Sequence, residues 1–273
     1  MLGGDAAAWT KMAAIFSVIG AVMMLICGLG VRERVYVAQS KTKDTTPLKV
    51  RLHALFGNKY AMLYFLANLL WGILWYGNNA AGVYYCQYVM GDANLFSTLS
   101  TYTTFATLAF TILVMPQLVK KWNGVKLMVV SKIICLVGYL IRAIFQSSLT
   151  ALYASSVIAG LGLGMYYSCI SLLLVGVCTY GTKKSGVNCV GITMTCNTVG
   201  NKSGIGIGSV VMGWIMQVLG FNAANAVQTA SSIFSIKLVF LYMPVLGMLT
   251  GVIIFSLFKN IYKETEALDA QKA

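Results

Sequence analysis

Long apolar segments constrain the fold of this chain more than any other feature of its sequence. Seven such segments, each about twenty residues or longer, lie near 9–30, 60–89, 95–119, 126–147, 149–178, 189–219 and 235–258. A helix of about twenty apolar residues matches the thickness of the hydrocarbon core of a bilayer. We therefore expect an all-α polytopic membrane protein with seven transmembrane helices.

The composition of the chain supports the same class. Its 273 residues are 58% hydrophobic and 10% charged, whereas about 25% charged residues are usual in a soluble domain. The formal net charge of +13 could also indicate binding of nucleic acid. The basic residues, however, lie in short connectors between apolar segments, so we expect a lipid bilayer as the partner and no nucleic acid.

The distribution of lysine and arginine predicts the orientation in the membrane. Fifteen of the 20 basic residues lie in the connector 31–59, in KKWNGVK, in TYGTKKSGVN and in the tail after residue 258. The alternate connectors, GDANLFS, QSSLT and GFNAANAVQTASS, contain none. Because basic connectors remain in the cytosol, we expect a cytosolic C-terminus and an N-terminus outside the cell.

These boundaries divide the chain into four parts. The first is a transmembrane helix within 1–30, followed by a basic cytosolic connector over 31–59. A six-helix bundle over 60–258 and a cytosolic tail over 259–273 complete the predicted organisation.

The sixth apolar segment contains a lysine near the middle of NTVGNKSGIGIG, residues 197–208. A charge at membrane depth costs several kcal/mol unless it is paired or required. Three glycines repeat every four residues and form one smooth face for helix packing: Gly200, Gly204 and Gly208. Lys202 points away from that face and shares a stripe with Thr198 and Thr195. We expect this stripe to face a polar interior; the alternative is that Lys202 snorkels to the interface.

Acidic residues are absent from every apolar segment. All seven lie outside them: Asp5, Glu33, Asp44, Asp92, Glu264, Glu266 and Asp269. Lys202 therefore has no carboxylate partner at membrane depth in this chain, and no buried carboxylate is available to bind sodium or carry a proton. Lys132, Arg142 and Lys237 lie closer to the ends of their segments, where we expect snorkelling.

Two further segments carry candidate cavity residues. In the second, Trp75 is followed by Asn78 and Asn79, which could line a cavity or bridge helices. In the fifth, GLGLGMYYSC places Tyr166 and Tyr167 beside small residues. Aromatic faces with hydrogen-bonding groups hold sugar rings, although rings at helix contacts are also common.

Enzymatic and metal sites are not expected. The chain has one histidine, and its seven cysteines show no CxxC pair, so the sequence predicts no metal site and no cofactor. It offers neither a serine–histidine pair nor paired carboxylates, so we do not expect an enzyme.

Five short motifs occur in an order that resembles a known family. They are LGVRERV at 29–35, YYCQYVMGD at 84–92, MPQLVKKWNGVK at 115–126, TYGTKKSG at 179–186 and NTVGNKSG at 197–204. In sequence and order they are similar to the C-terminal half of the glycoside–pentoside–hexuronide:cation symporters, the melibiose-carrier group of the major facilitator superfamily. The resemblance implies that the chain supplies the sixth helix of such a carrier and then its last six helices.

The same resemblance implies a sugar site. The matching lysine and threonine of the family fall on Lys202 and Thr198, as donors to substrate oxygens, and its stacking aromatic falls on Tyr167. Trp75, Asn78 and Asn79 are further candidates for the cavity wall. The loop motif departs from the family because Thr179 and Thr182 replace its two acidic residues.

We therefore expect cation-coupled symport of a sugar or glycoside by a truncated or partial carrier in a bacterial plasma membrane. The coupling ion, Na⁺ or H⁺, is implied by the resemblance, and its carboxylate ligands belong to an N-terminal half that this chain lacks. A non-transporting remnant or interaction protein is the alternative. A seven-span receptor or retinal protein using Lys237 would need a counter-ion carboxylate, which no apolar segment contains.

Overall fold

The computed structural model describes residues 6–31, 46–223, 225 and 227–270, and these fall into two units, 1–45 and 46–273. The first unit contains helix α1, Ala6–Gly30. The second unit contains α2 Leu48–Phe56, α3 Lys59–Tyr88, α4 Leu95–Leu113, α5 Met115–Leu118, α6 Gly124–Ile144, α7 Leu149–Ser185, α8 Val190–Val218, α9 Ala230–Lys237, α10 Met243–Ser256 and α11 Ile261–Ala270. The described residues form helices and no strand, which confirms the predicted all-α class. Of the predicted connector 31–59, residues 32–45 lie outside the described residues.

Five helical stretches among the described residues are long and apolar enough to cross a membrane. They are Thr10–Gly30, Lys59–Tyr88, Gly124–Ile144, Leu149–Ser185 and Ala230–Ala270. The other two predicted segments form α4 and α8, which have 19 and 29 residues. Both are rich in serine, threonine or glycine, and this lowers their apolarity without shortening them. The expected number of seven crossings therefore rests on length for these two helices.

Polar residues at the helix starts explain several of the boundaries. The Asn58 side chain accepts hydrogen bonds from the backbone N–H groups of Tyr60 and Ala61, and Ser148 accepts one from Ala151. These bonds satisfy donors that the first turn of a helix leaves free. At its other end, α7 stops at Gly186, whose φ of 70° is the left-handed conformation that glycine adopts readily.

Close helix contacts through glycine hold the second unit together. Gly200, Gly204 and Gly208 of α8 face α3, and a Cβ built on Gly208 would lie 2.8 Å from the backbone of Ile73. Gly160 of α7 approaches α4 in the same way. Such contacts allow two backbones to approach within van der Waals distance. The predicted glycine face of the sixth segment is thus confirmed as a packing surface.

The last membrane segment is a continuous helical run with a widened turn. A π turn spans Leu238–Tyr242 and is followed by α10, in which Pro244 occupies the first turn. Proline has no N–H and its ring clashes with the preceding turn of a regular helix, so the wider turn accommodates it. The π turn places Phe240 inside the bundle, where it is 2% exposed.

The predicted tail over 259–273 contains helix α11, which packs against α7. Lys59 at the start of α3 forms an ion pair with Glu264 at 2.8 Å, and Lys183 near the end of α7 pairs with Asp269. Four charged residues from the predicted cytosolic connectors and tail therefore join separate segments at one end of the second unit.

Candidate functional site

A cavity of about 340 Å³ lies among α3, α4, α6, α7 and the π turn. It occupies the half of the bundle in which α3 and α6 end and α4 and α7 begin. This volume is at the lower end of the range of about 300–1,000 Å³ that is common for small-molecule sites.

Helix α3 supplies three of the predicted residues to the cavity wall: Trp75, Asn78 and Asn79. Their spacing puts them on one helical face. The Trp75 indole Nε1–H donates to the hydroxyl of Tyr139 at 3.2 Å, which fixes one edge of its ring. Asn78 is 4% exposed, and its Oδ1 has no hydrogen-bond partner among the described residues. The structure thus favours the cavity interpretation for Asn78, since it bonds no neighbouring helix through that oxygen.

Helix α7 contributes Tyr167, the aromatic residue that the resemblance selected. Its side chain is 49% exposed, whereas the adjacent Tyr166 is 3% exposed and packs against Trp71 at a ring-centroid distance of 4.8 Å. The two neighbouring tyrosines therefore differ in environment: Tyr166 belongs to the core, and Tyr167 offers ring and hydroxyl to the cavity.

Helix α4 lines the cavity with hydroxyl groups that sequence analysis did not select: Ser100, Thr103, Thr104 and Thr107. Thr107 donates to the backbone carbonyl of Gly160 across the α4–α7 contact at 2.9 Å, and Thr103 donates to Leu99 within its own helix. A donating hydroxyl keeps lone pairs that can accept from a ligand. The dense Ser and Thr content of residues 97–107 was the available signal.

Arg142 of α6 also lines the cavity, and the expectation that it snorkels is wrong. The residue is 6% exposed, and its Nε and Nη2 groups donate to the hydroxyls of Ser155 and Ser156, both at 3.1 Å. Its guanidinium carbon lies 4.8 Å from the centroid of the Phe240 ring. These partners hold the side chain inside the bundle even though it begins near a helix end.

The expectation for Lys132 is wrong for a related reason. The residue is 1% exposed, and its Nζ lies 3.4 Å from the centroid of the Trp71 ring and 3.6 Å from that of Tyr166. Among the described residues no hydrogen-bond acceptor contacts this ammonium group. Aromatic faces attract a cation electrostatically and replace the water that snorkelling would have supplied.

Lys202 and Thr198 lie on a different surface from the cavity. Both are exposed on the face of α8 opposite its glycine contact with α3, as predicted, but neither belongs to the cavity wall. The Thr198 hydroxyl donates to the backbone carbonyl of Met194 at 3.1 Å. The structure therefore brings together four of the six predicted site residues and leaves these two on an open helix face.

The family model for MFS/sugar transport proteins matches residues 1–260. The chain belongs to this family. Its members are transporters rather than enzymes, and the match confirms the relationship inferred from the five motifs. It also agrees with the apolar helices in making the chain an integral membrane protein.

Several curated relatives are similar to the chain at low identity. An isoprimeverose transporter of Lactiplantibacillus pentosus is 28% identical over 88% of this chain and 49% of its own length. A lactose permease of Lactobacillus delbrueckii subsp. bulgaricus is 24% identical over 97% of this chain and 43% of its own length. A glucuronide carrier protein homolog of Escherichia coli is 25% identical over 82% of this chain and 48% of its own length. The chain spans about half the length of these curated relatives.

Proposed function

We propose that the chain forms one half of a secondary carrier for a sugar or glycoside. The observation that carries this proposal is the cavity, where Trp75 and Tyr167 offer ring surface beside the amides of Asn78 and Asn79. A sugar has apolar ring faces and a rim of hydroxyls, so it requires this combination of aromatic and hydrogen-bonding groups. The names of the isoprimeverose and lactose relatives support the same substrate class.

Transport would require a second bundle. In major-facilitator carriers two six-helix halves rock against each other around a site near the middle of the membrane. We propose seven crossings for this chain, with its C-terminus in the cytosol, and a first half supplied by a longer protein or a separate chain. Symport with Na⁺ or H⁺ would then use carboxylates of that other half, because the apolar segments here have none.

The exposed face of α8 fits this arrangement. Lys202 and Thr198 face away from α3, so an opposing bundle could enclose them together with a substrate. In that position Lys202 would donate to hydroxyl or carboxylate oxygens, and Thr198 would donate or accept one turn away. The two residues would then contact the substrate from a surface that is separate from the cavity.

Binding to the purified chain tests the proposal. Because Trp75 lies in the cavity wall, tryptophan fluorescence should change saturably with a panel of neutral and acidic monosaccharides and methyl glycosides. The change should disappear in Trp75→Phe and persist in Trp214→Phe, since Trp214 is 65% exposed on α8 and outside the cavity wall. If no sugar in the panel produces a saturable change, the non-transporting alternative becomes the better account.

A further inference from the structure

The cavity wall has one charged side chain among the described residues, Arg142. We infer that Arg142 forms an anion-binding subsite, so that the substrate carries a carboxylate or sulfonate beside its hydroxyl groups. This inference rests on the proposed sugar site and specifies the chemical class of its ligand.

The geometry of Arg142 leaves donors free for such a group. A guanidinium carries five N–H donors and stays protonated in proteins. The serine hydroxyls of α7 take one bond each from Nε and Nη2, which leaves three N–H groups. The same two bonds and the Phe240 ring hold the guanidinium plane in place. A positioned guanidinium is well suited to the paired oxygens of a carboxylate or sulfonate.

The charge of Arg142 is not balanced by the protein residues that the structure describes. No described carboxylate forms an ion pair with it. The sequence contains neither Asp nor Glu between residues 93 and 263, a range that covers α4 and α6 to α10. Burying a cation without a partner is costly. An acidic ligand would supply the missing negative charge when it enters the cavity.

Asn78 supplies a second and independent observation. Its side chain is 4% exposed and lines the same cavity, and its Oδ1 lacks a donor among the described residues. A buried acceptor without a donor is unfavourable, and a ligand hydroxyl can provide the donor. A ligand with an acid group to bind Arg142 and hydroxyls to donate to Asn78 is an acidic sugar or polyol.

Arg142 could instead serve only to join α6 to α7 through the two serines. That role predicts a loss of stability on substitution with no change in the relative affinity for acidic and neutral ligands. The anion-binding role predicts a change in that ratio. The ratio of the two affinities, measured in one preparation, therefore separates the two roles.

The test compares three ligands of equal ring size on the full purified chain: methyl glucoside, methyl glucuronide and a methyl glucoside sulfonated at C6. In the unmodified protein we expect one of the two acidic ligands to bind at least about tenfold more tightly than the neutral one. The acidic ligand that binds more tightly shows whether the site prefers a carboxylate or a sulfonate. Arg142→Gln should remove that preference, and Arg142→Lys should restore part of it.

Each of the other possible outcomes contradicts one specific part of the proposal. Equal or tighter binding of the neutral glucoside by the unmodified protein would overturn the anion subsite and leave the proposed sugar site standing. An equal loss of affinity for neutral and acidic ligands in Arg142→Gln would show that the residue has a structural role only. Absence of saturable binding for all three ligands would overturn the sugar site and the subsite together. The comparison of neutral and acidic ligands on the unmodified protein tests the anion subsite by itself. Poor folding of a variant therefore does not prevent the test.

Discussion

The ammonium group of Lys132 lies 3.4 Å from the centroid of the Trp71 ring, inside the packed bundle. Tyr166 and Phe255 place two further rings at 3.6 and 5.8 Å, so α6 meets α3, α7 and α10 at this lysine. Trp71 in turn stacks on Trp75, with centroids 5.1 Å apart and planes inclined by 12°. The rings around Lys132 and the cavity wall are thus connected through the stacked indoles of Trp71 and Trp75.

We expect Lys132→Met to unfold at the same temperature as the unmodified protein or higher. Methionine keeps most of the side-chain volume and removes a buried charge that has no hydrogen-bond acceptor. Lys132→Ala should instead lower the stability by about 2–5 kcal/mol because it leaves a void beneath the rings. Thermal unfolding in detergent, followed by a thiol-reactive dye on the buried Cys135 and Cys169, measures both. A marked loss of stability in Lys132→Met would mean that the cation–π contacts outweigh the cost of burying the ammonium group.

The contact between α8 and α3 should be sensitive to a single methyl group. A Cβ on Gly204 would collide with the backbone of Leu69, whereas a Cβ on Gly206 of the same helix meets nothing within 4 Å. Gly204→Ala should therefore destabilise the protein by about 1–3 kcal/mol. Gly206→Ala should be neutral or stabilising by up to about 1 kcal/mol, because alanine favours the helix. Similar melting temperatures for the two variants would contradict the observed helix contact.

Asn78 should show opposite effects on stability and on binding. Asn78→Ala removes a buried oxygen without a donor, so we expect stability to be unchanged or raised by about 1 kcal/mol. The same substitution should weaken sugar binding at least about tenfold, since a ligand hydroxyl loses its acceptor. Asn68 provides the control on the same helix, because its Nδ2 donates to the carbonyl of Tyr64 at 2.8 Å. Asn68→Ala should lower the melting temperature without a selective loss of binding.

Tyr167 and Tyr76 form a matched pair for the role of the cavity ring. Both are about half exposed, at 49% and 46%, but only Tyr167 belongs to the cavity wall. Tyr167→Ala should reduce sugar affinity by about tenfold or more, because stacking and the hydroxyl are both lost. Tyr76→Ala should leave it within about twofold. Fluorescence titration of both variants with sugar measures the two affinities. Equal losses of affinity would show that the Tyr167 ring does not act in the cavity.

Lys202→Ala should weaken substrate binding by the assembled carrier while leaving membrane insertion intact. The side chain is exposed and lies outside the packed face of α8, so its loss should cost little stability. Binding should be measured on the chain reconstituted with the complementary first half, since that bundle would enclose the residue. Ser209→Ala, exposed on the same helix, is the control. Unchanged binding in Lys202→Ala would remove Lys202 from the site.

Much of the helical framework could be predicted because membrane crossings are encoded locally. The seven apolar segments agree with the long helices to within a few residues at most ends, and the glycine repeat of the sixth segment identified its packing face. The widened turn at Leu238–Tyr242 was not predicted, although Pro244 was a visible cause of irregular helix geometry. Trp75, Asn78, Asn79 and Tyr167 were selected from single segments, and their convergence on one cavity had to come from helix packing.

The sequence by itself determined the class of the protein, because apolar length and charge placement act through the bilayer without reference to other helices. It did not determine the environment of Arg142 or Lys132. Position along a helix suggested that both could reach water, but the depth of a side chain depends on which neighbours surround it. Serines of α7 hold Arg142 beside the cavity, and rings from three other helices enclose Lys132. Only the tertiary structure decided these two sites, because it brings those partners from distant parts of the chain to one point.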